Sequence, residues 1–417
     1  MITTSPAPTI VQSPPTVRSR VQLILILGAL SAFGPLSIDM YLPALPALTR
    51  AFGASASETQ LTLSACLLGL ALGQTISGPL SDALGRRRPL LIGLACYALA
   101  SLLCALAPSV FALAALRLVQ GVAGAAGIVI ARAVVRDLHS GIAVARFFSL
   151  LMLVNGLAPI LAPVFGGQLL RYTSWRGVFV TLAIIGILLF LAAATGLRET
   201  LPAGRRQTGG IRTTLTTFRG LLTDHAFLGY ALSCGLAFAA MFAYISGSSF
   251  VLQDIYGVSP QGFSLIFGSN ALGLVVAGQV NGRLVGRVPP VRLLAAGLTT
   301  SAAGAVALLV VVISGVGLVG VLPSLFVVVA SLGFVMPNAA ALALSGHQRT
   351  AGSASALLGV LQYAIGAAAA PLVGIAGADT AVPMALVIAT LGVCALAALM
   401  LLGRSVRKLT TVSSART

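Results

Sequence analysis

The sequence predicts an all-α polytopic membrane protein whose twelve transmembrane helices form two six-helix bundles, and three observations carry that expectation. Of 417 residues, 58% are hydrophobic and only 8% charged, with a mean hydropathy of +1.04. That composition cannot furnish a water-facing surface. The apolar residues fall into twelve runs, each close to the ~20 residues that span ~30 Å of hydrocarbon. One long polar interval, residues 197–225, then divides six runs from six, which raises the question of an internal repeat.

In order, the runs cover residues 21–44, 59–80, 89–107, 110–131, 147–169, 177–196, 226–250, 262–282, 293–313, 318–342, 353–376 and 381–402. The expected organisation is a cytoplasmic tail (1–20), an N-terminal bundle (21–196), a cytoplasmic central loop (197–225), a C-terminal bundle (226–403) and a second cytoplasmic tail (404–417). The first tail is rich in Pro, Ser and Thr and lacks a hydrophobic core, which is the composition of a disordered segment and not of a cleaved signal.

The formal net charge of +17 could suggest a nucleic-acid partner, but its distribution points to the membrane. With both termini cytoplasmic, 21 Lys and Arg residues fall in inner segments, whereas only Arg50, Arg171 and Arg176 fall outside. This bias sets orientation by the positive-inside rule and supplies contacts to lipid headgroups, so nucleic acid is not a partner. The 24 Arg to one Lys, with abundant Ala and Gly, favour a bacterial inner membrane. Five cysteines, Cys66, Cys96, Cys104, Cys234 and Cys394, lie inside apolar runs without ligand-like spacing and read as small core residues. No metal or cofactor is expected.

Two charges remain inside the membrane, Asp39 in the first run and Arg117 in the fourth. An ionised group at mid-bilayer costs roughly 2.5 to 3.5 kcal/mol on insertion scales, so it faces a polar cavity, finds a partner or titrates. At 1.5 Å per residue Asp39 lies roughly 27 Å along an outward-running helix, which places it in the outer half together with Arg117. The three histidines, His139, His225 and His347, fall in cytoplasmic segments and read as solvated loop residues. Tyr41, Met241, Tyr244, Asn270 and Gln362 are aromatic, thioether or amide groups on otherwise apolar helices; they suit an amphipathic ligand, although each could equally serve packing. The amides carry more weight, because an unsatisfied amide in lipid is costly.

Between the second and third runs stands GPLSDALGRRRP, residues 78–89, and between the eighth and ninth stands GQVNGRLVGR, residues 278–287. The second is a worn copy of the first, with the acid replaced by Gly282. Gly78 is expected to end helix two, Gly85 to allow a tight turn and Pro89 to open helix three, leaving Asp82 as the only acid in a short loop with three arginines, Arg86, Arg87 and Arg88. A tight turn with topology charges is one reading of this loop, and a conformational contact that forms in one state and breaks in another is the other. A six-plus-six repeat of this kind is transporter architecture.

Gly78, Leu80, Asp82, Gly85, Arg86 and Arg87 match the signature loop of the major facilitator superfamily, and the resemblance implies twelve helices in two bundles, a central cavity and alternating access. It further implies that the loop is a latch for the outward-facing state. Position 83 is Ala, where the family often has Arg or Lys. Arg117, Gln120 and Gly121 resemble the family's helix-four motif, in which Gly121, Gly124, Ala125 and Gly127 would let other helices pack close. Ala162, Pro163, Gly166 and Gly167 resemble its helix-five antiporter motif, with Ala for the first Gly; the bland alternative is a packing kink.

The segments SIDMYLPALPAL (37–48) and MFAYISGSSFVLQ (241–253) resemble the bicyclomycin and chloramphenicol resistance branch of drug:proton antiporters, and the resemblance covers nearly the whole chain. It assigns proton and cation sensing to Asp39 and places Arg117 on the same cavity. Burial and a nearby guanidinium act on a carboxylate in opposite directions, and the balance would let Asp39 load and unload protons. The function expected is proton-coupled efflux of a small amphipathic drug by a monomeric transporter. A metabolite carrier for an amino acid or sugar is the alternative, and would call for more cavity charges or amides. No GxxxxGK[ST] loop and no convergent cluster of acids, His or Cys points to ATP-driven transport or an enzyme.

Overall fold

The computed structural model describes residues 17–138, 142–206, 211–347, 351–375 and 380–414. The first membrane segment is broken. It consists of α1 (Val17–Ser31), α2 (Phe33–Asp39), a 3-10 turn at Leu42–Ala44 and α3 (Leu45–Phe52), with a 45° bend at Ala32. Pro35, Pro43 and Pro46 remove backbone donors here, so no regular ladder can run through the segment. It reaches Phe52, beyond the expected end at residue 44. The remaining helices of this half are α4 (Ala56–Leu84), α5 (Arg87–Ala105), α6 (Val110–Leu138), α7 (Ile142–Leu169) and α8 (Trp175–Gly196).

The second half repeats the plan with α10 (His225–Phe250), which continues as a π-helical turn at Val251–Ile255, then α11 (Pro260–Leu284), α12 (Pro290–Ile313), α13 (Leu318–Ser345), α14 (Ala351–Gly374) and α15 (Val382–Ser414). Among the described residues, ten helices are individually long and apolar enough to cross a bilayer, the bent first segment makes an eleventh, and α7 completes the twelve.

Four expectations need correction. Helix two does not end at Gly78, because α4 continues through Gly78 and Pro79 to Leu84, and the turn falls at Gly85 with φ +90°. The central interval is not wholly loop: Ile211–Thr223 forms α9, whose Phe218 and Leu221 are buried in the core of the C-terminal half. Residues at both expected tails are helical, since α1 begins at Val17 and α15 continues to Ser414. Cys96 and Cys394 lie on the exposed surface, and only Cys66, Cys104 and Cys234 are core residues.

Within the N-terminal bundle α6 packs on α4 and α5, and α5 on α8. Gly121 makes the first contact possible, since a Cβ there would run into the Cys66 carbonyl of α4. Between the bundles, α4 lies against α14 and α7 against α11. Helix alternation collects Arg86, Arg87, Arg136, Arg198, Arg283 and Arg292 at one end and Arg50, Arg171 and Arg176 at the other. At the arginine-poor end the bundles are laced together. Ser249 Oγ donates to the Leu42 carbonyl (2.7 Å), Ser264 Oγ to that of Pro163 (2.7 Å), Gln261 Nε2 to that of Gly167 (2.9 Å) and Gln60 Nε2 to that of Ser246 (3.2 Å). The Leu42 carbonyl and that of Pro43, which accepts from Gln253 Nε2 (3.3 Å), lie in the broken first segment and thus find partners in the other bundle.

Candidate functional site: an aromatic cavity with one carboxylate

A cavity of about 180 Å³ lies between the bundles, where α2, α4 and α7 face α10, α11, α13 and α14. Its wall is apolar and aromatic. Phe238, Met241, Phe242 and Ile245 come from one face of α10, Phe267 from α11, and Leu67 and Leu70 from α4. Among the described residues that line it Asp39 is the only charged one, and it is 5% exposed. Its position follows from the broken first segment, since it is the last residue of α2, directly before the turn at Met40 and Tyr41. Gly166 of α7 lets this turn come close, as a Cβ there would strike the Met40 carbonyl. Gly167 meets the Ser264 hydroxyl of α11 in the same way, so the helix-five motif supplies contact surface for both the first segment and the other bundle.

The expected pairing of Asp39 with Arg117 is absent. Arg117 is fully buried inside the N-terminal bundle and does not line the cavity, which corrects its expected place on the wall. Its Nη1 donates to Gln120 Oε1 (2.6 Å), and Gln120 Nε2 donates to Ser101 Oγ (2.7 Å). The guanidinium sits over the rings of Tyr41 (5.0 Å) and Phe179 (5.7 Å), a cation–π arrangement. Its Nε and Nη2 have no hydrogen-bond partner among the described residues. Tyr41 is likewise interior, bonded through its hydroxyl to Thr62 (2.8 Å), because two residues along this turn reverse the direction of the side chain.

Of the other expected wall residues, Met241 and Tyr244 do face the cavity. Asn270 stands behind Tyr244, donating to its hydroxyl (2.9 Å), and Gln362 donates to Cys234 Sγ (2.9 Å) away from the lining. Phe238, Phe242, Phe267 and Tyr363 were not singled out from sequence. The i, i+4 spacing of Phe238 and Phe242 beside Met241 was the available signal, but it equally describes a lipid-facing stripe.

A second polar site gathers at the arginine-rich end of the N-terminal bundle. Asp82, on the last turn of α4, pairs with Arg86 (2.5 Å), and Arg86 Nε donates to Asp137 at the end of α6 (2.9 Å). Burial works against the charge of Arg86, but Asp137 and Asp82 outweigh it and hold the guanidinium more firmly protonated than usual. Glu199 accepts from the backbone N–H groups of Arg86 (2.8 Å) and Arg87 (3.2 Å), placing an anion at the N-terminus of α5. Arg87 in turn donates to the carbonyls of Ala194 (2.7 Å) and Leu197 (3.0 Å) at the end of α8. Asp137 and Glu199 were missed in the sequence because they are distant from the loop along the chain.

His347 is not a solvated loop residue, since it pairs with Asp224 (3.1 Å) and stacks on Phe227. His225 is exposed, and His139 lies outside the described residues.

The profile of the Major Facilitator Superfamily matches residues 27–371. The chain belongs to this superfamily. It is 46% identical over 373 residues to the uncharacterized MFS-type transporter YdgK of Bacillus subtilis, covering 89% of this chain and 92% of that one. It is 30% identical to a bicyclomycin resistance protein homolog of Haemophilus influenzae over 377 residues, 90% of this chain and 94% of the relative. A chloramphenicol resistance protein of Pseudomonas aeruginosa is 30% identical over 355 residues, 82% of each chain. This major facilitator protein is therefore a multi-pass membrane transporter of the drug-resistance branch and not an enzyme.

Proposed function

We propose that this transporter exports small amphipathic drugs, chloramphenicol-like or bicyclomycin-like, in exchange for protons, working as a monomer in a bacterial inner membrane. The observation that carries the reading is Asp39, a single carboxylate in an otherwise apolar and aromatic inter-bundle cavity. Aromatic and aliphatic walls take up an amphipathic molecule, and one titratable group lets its binding compete with a proton. A metabolite carrier would need more polar groups on this wall. The resistance proteins among the relatives support the drug class, and the positive-inside bias supports a cytoplasmic arginine-rich end with both termini on that side.

In that orientation the laced end faces outward and the cavity loads from the cytoplasm. At about 180 Å³ it is smaller than the ~300 Å³ at which drug-sized pockets begin, so loading requires the bundles to part at the arginine-rich end. Drug enters while Asp39 is ionised. The bundles rock, the laced end opens, and a proton from outside neutralises Asp39 as the drug leaves. Return with the proton down a potential of ~100 mV releases about 2.3 kcal/mol. The cluster around Arg86 ties together the cytoplasmic ends of α4, α5, α6 and α8 and serves as the latch that stabilises the outward-facing state.

The test is susceptibility of an efflux-deficient bacterial host with and without the gene, against chloramphenicol-like, bicyclic peptide and lipophilic-cation drugs. The expected outcome is protection by the wild-type protein and none by Asp39→Asn at any external pH. Unchanged protection by Asp39→Asn sinks the proton role, and no protection from a protein shown to be in the membrane moves weight to the metabolite reading.

A further inference from the structure

Among the described residues three polar side chains line the cavity, Asp39 from the N-terminal bundle and Tyr244 and Tyr363 from the C-terminal one. The two tyrosines differ in how they are held. The Tyr244 ring stacks on Phe267 at 5.4 Å with 12° between the planes, and its oxygen accepts a hydrogen bond from Asn270 Nδ2 at 2.9 Å. Both the ring and one lone pair are therefore fixed. The hydroxyl hydrogen donates to no group among the described residues, although the side chain is 1% exposed. The Tyr363 ring leans on Phe238, and no protein group orients its hydroxyl among the described residues.

Asp39 is the complementary half, a buried carboxylate on the facing wall of the same cavity that accepts no hydrogen bond among the described residues. Among the described residues, Tyr244 of α10 and Tyr363 of α14 are the titratable groups facing it across the cavity, and the lining side chains of α4, α7, α11 and α13 are apolar. Behind it, Arg117 of α6 is engaged with Gln120 and the Tyr41 ring. A donor held by a second amide and an acceptor with no donor, on opposite bundles, meet or separate as the bundles rock.

We infer that Asn270 and Tyr244 form a positioning pair that aims the Tyr244 hydroxyl hydrogen at the Asp39 carboxylate and so sets its proton affinity from the opposite bundle. The inference rests on the proposed proton role of Asp39. It deepens that role by naming the group through which bundle position reaches the proton site. A hydrogen bond donated to a carboxylate favours its ionised form, and the Asn270 bond polarises the donor and removes its freedom to turn away.

The test needs no transported substrate. The full-length protein in lipid nanodiscs is treated with dicyclohexylcarbodiimide across a pH series, and modification of the Asp39 peptide is quantified by mass spectrometry with Asp39→Asn as the blank. The reagent takes the protonated carboxyl, so the midpoint of labelling reports the proton at Asp39. Tyr244→Phe keeps the ring stack and removes the hydroxyl, and its midpoint is expected to move up by about one pH unit, the equivalent of a charge-assisted hydrogen bond. Asn270→Leu is expected to move it the same way by less, and Tyr363→Phe to leave it in place. Should Tyr244→Phe not yield a monodisperse protein, Asn270→Leu carries the prediction. Midpoints of Tyr244→Phe and Asn270→Leu within about 0.3 pH unit of wild type, or an equal shift in Tyr363→Phe, overturn the inference. No labelling of wild-type Asp39 at any pH overturns the proton role itself, which is a different result.

Discussion

The two bundles share a plan and divide the chemistry. In the N-terminal bundle, polar interior positions carry charge: Arg117 is buried among Gln120 and aromatic rings, Asp39 stands on the cavity wall, and Arg86 joins Asp82 to Asp137. Among the described residues of the C-terminal bundle the pairs inside the membrane are neutral, and the ionisable pair of His347 with Asp224 lies at the arginine-rich end. Asn270 meets Tyr244, Asn338 donates to Asn281 (2.6 Å), and Gln362 meets Cys234. The repeated loop shows the same division. Both copies turn at a glycine with φ +90°, Gly85 and Gly286, but among the described residues only the first is stitched to other helices by ions. One half holds the buried charges of the cavity and of the Arg86 cluster, and the other supplies an aromatic wall and amides that need no counter-ion.

The sharpest way to break this comparison is to remove the ionic stitch. Arg86→Ala leaves Asp137, 16% exposed in its side chain, without its cation, and is expected to cost roughly 3 kcal/mol, read as a lower thermal midpoint of the purified protein. The neutral counterpart, Asn338→Leu, is expected to cost about 1 kcal/mol in the same assay. Equal effects would mean that the charge division has no energetic content.

Acid provides a milder probe. Burial pushes the Glu199 carboxyl up, but the N–H groups of Leu201, Arg86 and Arg87 and the charge of Arg206 together hold it below its ordinary value of 4.5. A depressed acid contributes stability that is complete above its unfolded pKa and is lost as pH falls through the folded one. The wild-type midpoint is therefore expected to decline below about pH 4.5, and Glu199→Gln to flatten part of that slope.

The smallest effect is expected at the mouth of the laced end. Arg50 and Asp254 pair across the bundles at 3.0 Å, but the Arg50 side chain is 69% exposed. Asp254→Asn should change stability by less than about 1 kcal/mol. A larger loss would make this pair a principal clasp, in place of the buried seryl and glutaminyl contacts.

Much of the fold was legible because the bilayer imposes it. Span length and arginine bias are properties of the chain against lipid and need no knowledge of neighbours, so Val21 to Leu402 could be apportioned to twelve crossings. Local backbone chemistry was less legible. Gly78 and Pro79 look like a helix end, yet α4 passes through them, because Ser81 and Asp82 on the continuing turns engage Arg86. The cavity wall was the least legible. Phe238 and Phe242 carry the same pattern whether they face lipid or a cavity, and only the partner bundle distinguishes the two.

The sequence by itself determined the class, the crossings, the loop motif and the existence of one costly carboxylate, since each follows from residue type and spacing in a medium of known thickness. Tertiary structure alone decided the direction of each polar side chain. Asp39 and Tyr41 are two residues apart, and the broken helix sends one to the cavity and the other under Arg117. A shared cavity expected for Asp39 and Arg117 at equal depth is therefore replaced by two separate environments. Depth along a helix is set by rise per residue, whereas facing is set by backbone breaks and by what packs against them.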